Sequence, residues 1–180
     1  MRALRIPDVR IFEPRIFTDE RGYFLEAWNA RTLEAAGLRE RFVQDNLVES
    51  RHGVIRGLHF QKARPQGKLL RCVAGEVFDV AVDLRRSSPT FGQWVAELLS
   101  EKNGHSLWVP PGFAHGYCVL SESALVYYKC TEFYDAADER SLLWNDPAIG
   151  IPWPLERMRA RLINARDAAA PPLSSAETFA

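Results

Sequence analysis

The chain has 180 residues with 23 Lys plus Arg against 23 Asp plus Glu, a length that fits one domain with a full core and a charge balance that gives no electrostatic footprint for nucleic acid or an anionic membrane surface. No run approaches the ~20 apolar residues of a membrane helix, and Met1 to Phe12 has no uninterrupted hydrophobic region of the secretory kind. Cys72, Cys118 and Cys130, odd in number and each in an apolar run, read as buried free thiols, so the expected location is the reducing cytoplasm.

Residues 4–17 suggest one or two short strands interrupted by Pro7 and Pro14, and Asp19-Glu20-Arg21-Gly22 a turn. Tyr23 to Trp28 reads as a strand with Phe24, Glu26 and Trp28 on one face. Asn29 caps a short helix, Ala30 to Ala36, which Gly37 ends. Phe42 to Val48 extends again, with Gln44 and Asn46 on one face. Val54-Ile55-Arg56-Gly57-Leu58-His59-Phe60-Gln61 is a strand between Gly53 and the pair Pro65 and Gly67. Lys68 to Val73 is another. From Gly75 the chain alternates strictly, with Phe78, Val80, Val82 and Leu84 on one side and Val77, Asp79, Ala81 and Asp83 on the other. Strands follow at Gln93 to Leu99, Leu107 to Val109, His115 to Leu120 and Ala124 to Phe133. Roughly ten strands at about 8–12-residue spacing, with one convincing helix, form the pattern of an all-β barrel or sandwich. The tail packs back as far as Pro172, and residues 173–180 are expected to be disordered.

The strand around Gly57 poses the chemical question. Arg56 and His59 do not belong in an apolar strand without partners. On an unbroken strand they point apart, and only a bulge at Gly57 would bring them to one face. The plain alternative is a core histidine bonded to backbone. Four histidines exist, His52, His59, His105 and His115, but none forms a His-x-His pair, which argues against a metal-binding barrel. No P-loop, dinucleotide fingerprint or nucleophile turn occurs. What remains is a set of polar residues set into short strands or at their ends, among them Arg21, Glu26, Gln44, Asn46, Arg56, His59, Lys68, Asp79, Asp83, His115, Tyr128 and Asp167. Buried charge is costly unless paired, and a barrel mouth that takes a charged, hydroxyl-rich ligand would account for so many.

Five segments carry a resemblance: Asp19-Glu20-Arg21-Gly22-Tyr23-Phe24-Leu25-Glu26, the strand Val54 to Gln61, Val77 to Arg85, Pro110-Pro111-Gly112-Phe113-Ala114-His115-Gly116 and Trp144-Asn145-Asp146-Pro147. Together they resemble the dTDP-4-dehydrorhamnose 3,5-epimerase family over about residues 4–172. The resemblance implies a cupin-like jelly-roll barrel with one or two short helices, a homodimer, and no metal or other cofactor. It implies inversion of C3 and C5 of dTDP-4-dehydro-6-deoxy-D-glucose, with relatives that invert one carbon only as the alternative. His59 then matches the base, Asp167 its orienting carboxylate, Lys68 the cation facing the C4 oxygen and Tyr128 the acid on the opposite face. Tyr127 would take that place if the register slipped by one residue. Arg21, Phe24, Glu26, Gln44, Asn46, Arg56, Lys68 and His115 match positions that hold the nucleotide sugar, some of them offered by the partner subunit. Three departures stand out: a loop between His59 and Lys68 one residue shorter than usual, Cys118 where a larger apolar residue is common, and a less serine-rich stretch before Asp167. A metal-dependent cupin oxygenase and a non-catalytic sugar-nucleotide binder are the rival readings.

Overall fold

The computed structural model describes all 180 residues. In chain order its strands are β1 (Arg2–Ala3), β2 (Arg10–Phe12), β3 (Ile16–Asp19), β4 (Gly22–Leu25), β5 (Gln44–Arg51), β6 (Ile55–Gln61), β7 (Lys68–Ala74), β8 (Glu76–Asp83), β9 (Trp94–Ser100), β10 (Ser106–Val109), β11 (Phe113–Val119), β12 (Ser123–Cys130) and β13 (Glu139–Ser141). Two short helices, α1 (Ala30–Ala35) and α2 (Ala165–Ala168), complete them. A six-stranded sheet in the order β1-β2-β10-β7-β12-β5 packs on a five-stranded sheet in the order β13-β6-β11-β8-β9, and β3 and β4 form a separate hairpin. Every pairing within these sheets is antiparallel. This is the cupin-like β fold, and the long alternation at Val77 to Leu84 shows why the sequence forms it.

On β8, Val77 and Ala81 enter the core between the sheets, with Leu70, Cys72, Leu107, Phe113, Tyr117 and Val126. Val80, Val82 and Leu84 enter a second core on the far side of the same sheet, with Leu58, Phe60, Trp144 and Trp153. The five-stranded sheet is therefore buried on both faces, because the chain after β13 lies across its outer face. A sheet covered on both sides needs apolar residues in both alternation classes, and β8 and β11 supply them.

Three expectations are corrected. The strand expected over Tyr23 to Trp28 ends at Leu25, and Glu26 instead accepts hydrogen bonds from Asn29 Nδ2 at 2.8 Å and Thr32 Oγ1 at 3.1 Å beside α1. The chain has thirteen short strands rather than about ten, because two- and three-residue edge strands carry too little periodicity to register. Residues 173–180 are packed, not loose. The Leu173 N–H donates to Asp146 Oδ2 at 2.6 Å, Ala176 is buried, and Phe179 stacks edge-on to Phe60 at 5.6 Å while its N–H donates to the Leu84 carbonyl. Short, polar and proline-flanked, that segment has no pattern of its own; it is ordered by the groove it fills.

Candidate active site

A bulge on β6 creates the site. His59 pairs with His115 of β11, yet Arg56 pairs with Tyr117, so three steps on β6 are spanned by two on β11. The extra residue turns Arg56 and His59 to the same side, toward the other sheet. Gly57 permits this with φ +108°, and a Cβ there would lie 2.7 Å from the His115 carbonyl oxygen.

The result is a cavity of about 440 Å³ between the two sheets, a size suited to a small organic ligand. One wall carries Arg56, His59 and His115 from the five-stranded sheet. The other carries Gln44, Asn46, Lys68, Tyr128 and Cys130 from the six-stranded sheet. The neighbouring Tyr127 points away and donates to Asp45 at 2.9 Å, so Tyr128 is the tyrosine that enters.

His59 sits 22% exposed against a wholly buried carboxylate: its Nε2 lies 2.6 Å from Asp167 Oδ1. Asp167 comes from the first turn of α2, which Asn164 caps by accepting the Asp167 N–H at 2.7 Å. The segment before it is tied down beside β6, where Leu162 exchanges backbone hydrogen bonds with Gly53 and Ile55. His52, outside the cavity, accepts the Arg159 N–H at 3.1 Å and fixes the same segment. The second Asp167 oxygen accepts the Gly57 N–H at 3.0 Å. Burial raises the Asp167 pKa, but the hydrogen bonds from His59 and Gly57 and the nearby charges of His59 and Arg166 outweigh it, so the group is held below its ordinary value and stays ionised. With Nε2 engaged, Nδ1 of His59 is the ring nitrogen left for a ligand.

Lys68 makes no hydrogen bond to the protein, and burial pushes its pKa down against the opposing pull of Cys130, Glu139 and Asp79. Burial pushes the Tyr128 phenol up to about 12, so it keeps its proton at any physiological pH. Gln44 and Asn46 are bonded to each other at 2.9 Å, and Arg56 is steadied by Ser50 Oγ at 2.9 Å. His115 lies 2.8 Å from Asp79.

Arg21, Phe24 and Glu26 do not reach this cavity. Arg21 sits at the tip of the β3–β4 hairpin, its side chain 85% exposed and bonded only to Asp19. Phe24 is also exposed, and Glu26 is spent beside α1. Conversely, Tyr134, Glu139 and Arg166, which nothing in the sequence pattern singles out, also line the cavity. Glu139 Oε2 accepts from the Tyr134 hydroxyl at 2.9 Å and from Arg166 at 2.5 Å. Burial opposes its ionisation, but Arg166, Tyr134 and the charge of His59 more than offset this and lower the pKa. These residues lie in turn and tail segments with no periodicity; an acidic and a basic residue 27 positions apart carry no local sign that they meet. No three His, Cys, Asp or Glu side chains converge to hold a metal ion.

A histidine steered by a carboxylate on one wall, with a lysine and a protonated phenol on the other, can remove a proton from carbon and return one from a different direction. A cupin-like fold equipped in this way belongs to the acid–base isomerases. Residues 3–175 match the family model described as dTDP-4-dehydrorhamnose 3,5-epimerase, and the chain belongs to that family. The curated epimerase of that name from Salmonella typhimurium is 54% identical over 173 residues, covering 95% of this chain and 93% of its own. The one from Pseudomonas aeruginosa is 52% identical over 99% of both chains. Among solved structures, the dTDP-6-deoxy-D-glucose-3,5-epimerase of Legionella pneumophila, in complex with dTDP-4-keto-L-rhamnose, is 47% identical with a TM-score of 0.94, covering 98% of this chain and 93% of that one.

Proposed function

We propose that the cavity inverts C3 and C5 of dTDP-4-dehydro-6-deoxy-D-glucose to give dTDP-4-dehydro-L-rhamnose. The observation that carries the assignment is the 2.6 Å contact between His59 and the buried Asp167 at the cavity wall. Nδ1 of His59 takes the proton from the carbon beside the C4 ketone. The C–H electron pair moves into an enolate, and the negative charge gathers on O4. The Lys68 ammonium, held without a protein acceptor, offsets that charge. The Tyr128 phenol gives a proton to the opposite face of the carbon, and the enolate collapses to the ketone. His59 passes its proton to water, the phenolate takes one back, and a second round acts on the other carbon. No atom is gained or lost, and no oxidant is required.

Gln44, Asn46, Arg56 and His115 hold the nucleotide sugar, with Arg56 toward the diphosphate. Arg21 and Phe24 are assigned to the cavity of a second copy in a homodimer. Two features support this. The hairpin that carries them has no use within its own chain. On the outer face of the six-stranded sheet, Leu47 is 62% exposed, and Arg71, only 7% exposed, has no hydrogen-bond acceptor and a buried Nε without a partner. A buried guanidinium with nothing to donate to is costly, and an acceptor from another copy would satisfy it. Three unpaired thiols fit a cytoplasmic location.

The test is incubation with the 4-keto sugar nucleotide in deuterated water. Deuterium appears at both C3 and C5. Label at a single carbon reassigns the protein to a mono-epimerase, and none at either carbon reduces it to a binder.

A further inference from the structure

The cavity holds a second histidine–aspartate pair, and its surroundings differ from those of the first. His59 and His115 face each other as cross-strand partners on β6 and β11. Behind His115 stands Asp79 of β8, whose register partner on β11 is Tyr117, placing it diagonally from His115 on the same sheet face. Asp79 is wholly buried. Its Oδ1 lies 2.8 Å from His115 Nε2, and its Oδ2 is buried with no hydrogen-bond partner.

The two carboxylates are thus provided for unequally. Asp167 has a donor on each oxygen, one of them a backbone N–H that carries no charge to be moved. Asp79 has one donor: burial raises its pKa, and the charge and hydrogen bond of His115, with the charge of Lys68, pull the other way, so its ionised form depends on a cation beside it. An asparagine oxygen would orient the His115 ring as well, without the cost of a half-satisfied buried charge. A charge kept at that cost has a cationic partner to stabilise. With Nε2 directed to Asp79, the ring turns Nδ1 to the cavity. Arg56 and Lys68, and His59 once it has taken a proton, add positive charge to the same cavity and oppose a further cation. Asp79 and Glu139 oppose that, and a bound diphosphate reverses the balance.

We infer that Asp79 is a positioning residue that holds His115, in the ligand-bound state, as an imidazolium whose Nδ1–H grips an anionic oxygen of a nucleoside diphosphate. Identical residue types are thereby given separate tasks: a saturated Asp167 leaves His59 free to take a proton, and an unsaturated Asp79 makes His115 keep one. The inference rests on the nucleotide-sugar reading of the cavity and adds the group that reads the diphosphate.

The experiment uses the full-length protein and dTDP. In the native complex, nitrogen–proton NMR of the imidazoles shows both ring nitrogens of His115 protonated. In Asp79→Asn, the Kd for dTDP rises tenfold or more, His115 is neutral at saturating dTDP, and with the keto sugar KM rises more than kcat falls. If the native protein fails to bind dTDP, the nucleotide-sugar reading falls and this inference with it. If both proteins bind dTDP equally, the role of Asp79 alone is overturned. If Asp79→Asn does not fold, the native spectrum decides, since a neutral His115 in the native complex refutes the inference.

Discussion

The backbone N–H of Gly57 donates to Oδ2 of Asp167 at 3.0 Å, across 110 positions of sequence. The carboxylate that steers His59 is thereby anchored to the same strand that carries His59, two residues away. Ring and carboxylate thus share β6 as a common anchor, in addition to the bonds that hold the tail segment beside it.

Asp167→Asn separates orientation from charge. The amide can still sit between Gly57 and His59, but it no longer enforces the tautomer that leaves Nδ1 free or stabilises the imidazolium. Deuterium exchange into the substrate should fall by about 10²–10⁴-fold, the range spanned by general acid–base groups. The Kd for dTDP, measured by calorimetry, should change little. A matching loss of affinity would mean that Asp167 serves the binding shape instead.

Gly57→Ala tests the bulge. The new Cβ would lie 2.7 Å from a backbone oxygen at φ +108°, and neither atom is the end of a flexible side chain. The expected cost is about 1–3 kcal/mol, read from the denaturant midpoint, together with loss of exchange activity because His59 is re-aimed. An unchanged midpoint would show that the β6–β11 register can slip without penalty.

The alkaline limb of the rate should belong to Lys68. Burial is the main force on it and lowers its pKa, and in the proposed mechanism the ammonium is the form that offsets the enolate. The rate therefore falls as pH rises through that lowered value, earlier than an ordinary lysine would give. Stability runs in the opposite direction. The unfolded chain binds this proton more tightly, so folding becomes more favourable as pH climbs toward the ordinary lysine value. Lys68→Met should abolish that slope in pH-dependent denaturation. Tyr128, pushed up to about 12, contributes nothing to the limb, so Tyr128→Phe should lower the rate without moving it.

The exposed hairpin gives a complementation test. His59→Ala lacks the proposed base, and Arg21→Ala lacks an arginine that does not reach the cavity of its own chain. If the hairpin serves the opposite copy, a dimer of one variant with the other has one cavity with both groups intact. Coexpressed, the pair should recover activity that neither shows alone. Failure to recover, with Arg21→Ala active by itself, would return the hairpin to a passive surface. Arg71→Ala should weaken association in sedimentation while leaving each subunit folded.

Much of this was legible in the chain because strand residues obey a period of two. The alternation at Val77 to Leu84 marked the sheet, and the misplaced Arg56 and His59 around Gly57 raised a bulge as one of two readings, the other being a core histidine bonded to backbone. Lys68, Gln44, Asn46 and Tyr128 stood out as polar groups set into strands, but their roles came from the resemblance, and Tyr128 by itself reads as an ordinary strand aromatic. Asp167 did not stand out: in Arg166-Asp167-Ala168-Ala169 it looks like a solvated tail residue, and only the resemblance marked it out. Its burial depends on contacts with β6 that no local window contains. Tyr134, Glu139 and Arg166 escaped for the same reason, and Phe179 did because one aromatic in a short polar run signals nothing until its groove exists.

The cavity takes its walls from both layers, with β6 and β11 on one side and β5, β7 and β12 on the other. Any molecule that grips both walls therefore acts as a clasp across the sandwich, and its binding must be paid back before the layers can part. Occupancy at a hundred times Kd adds about 2.7 kcal/mol to folding. A simple melting curve, with no assay of chemistry at all, is thus enough to rank inhibitors of this enzyme.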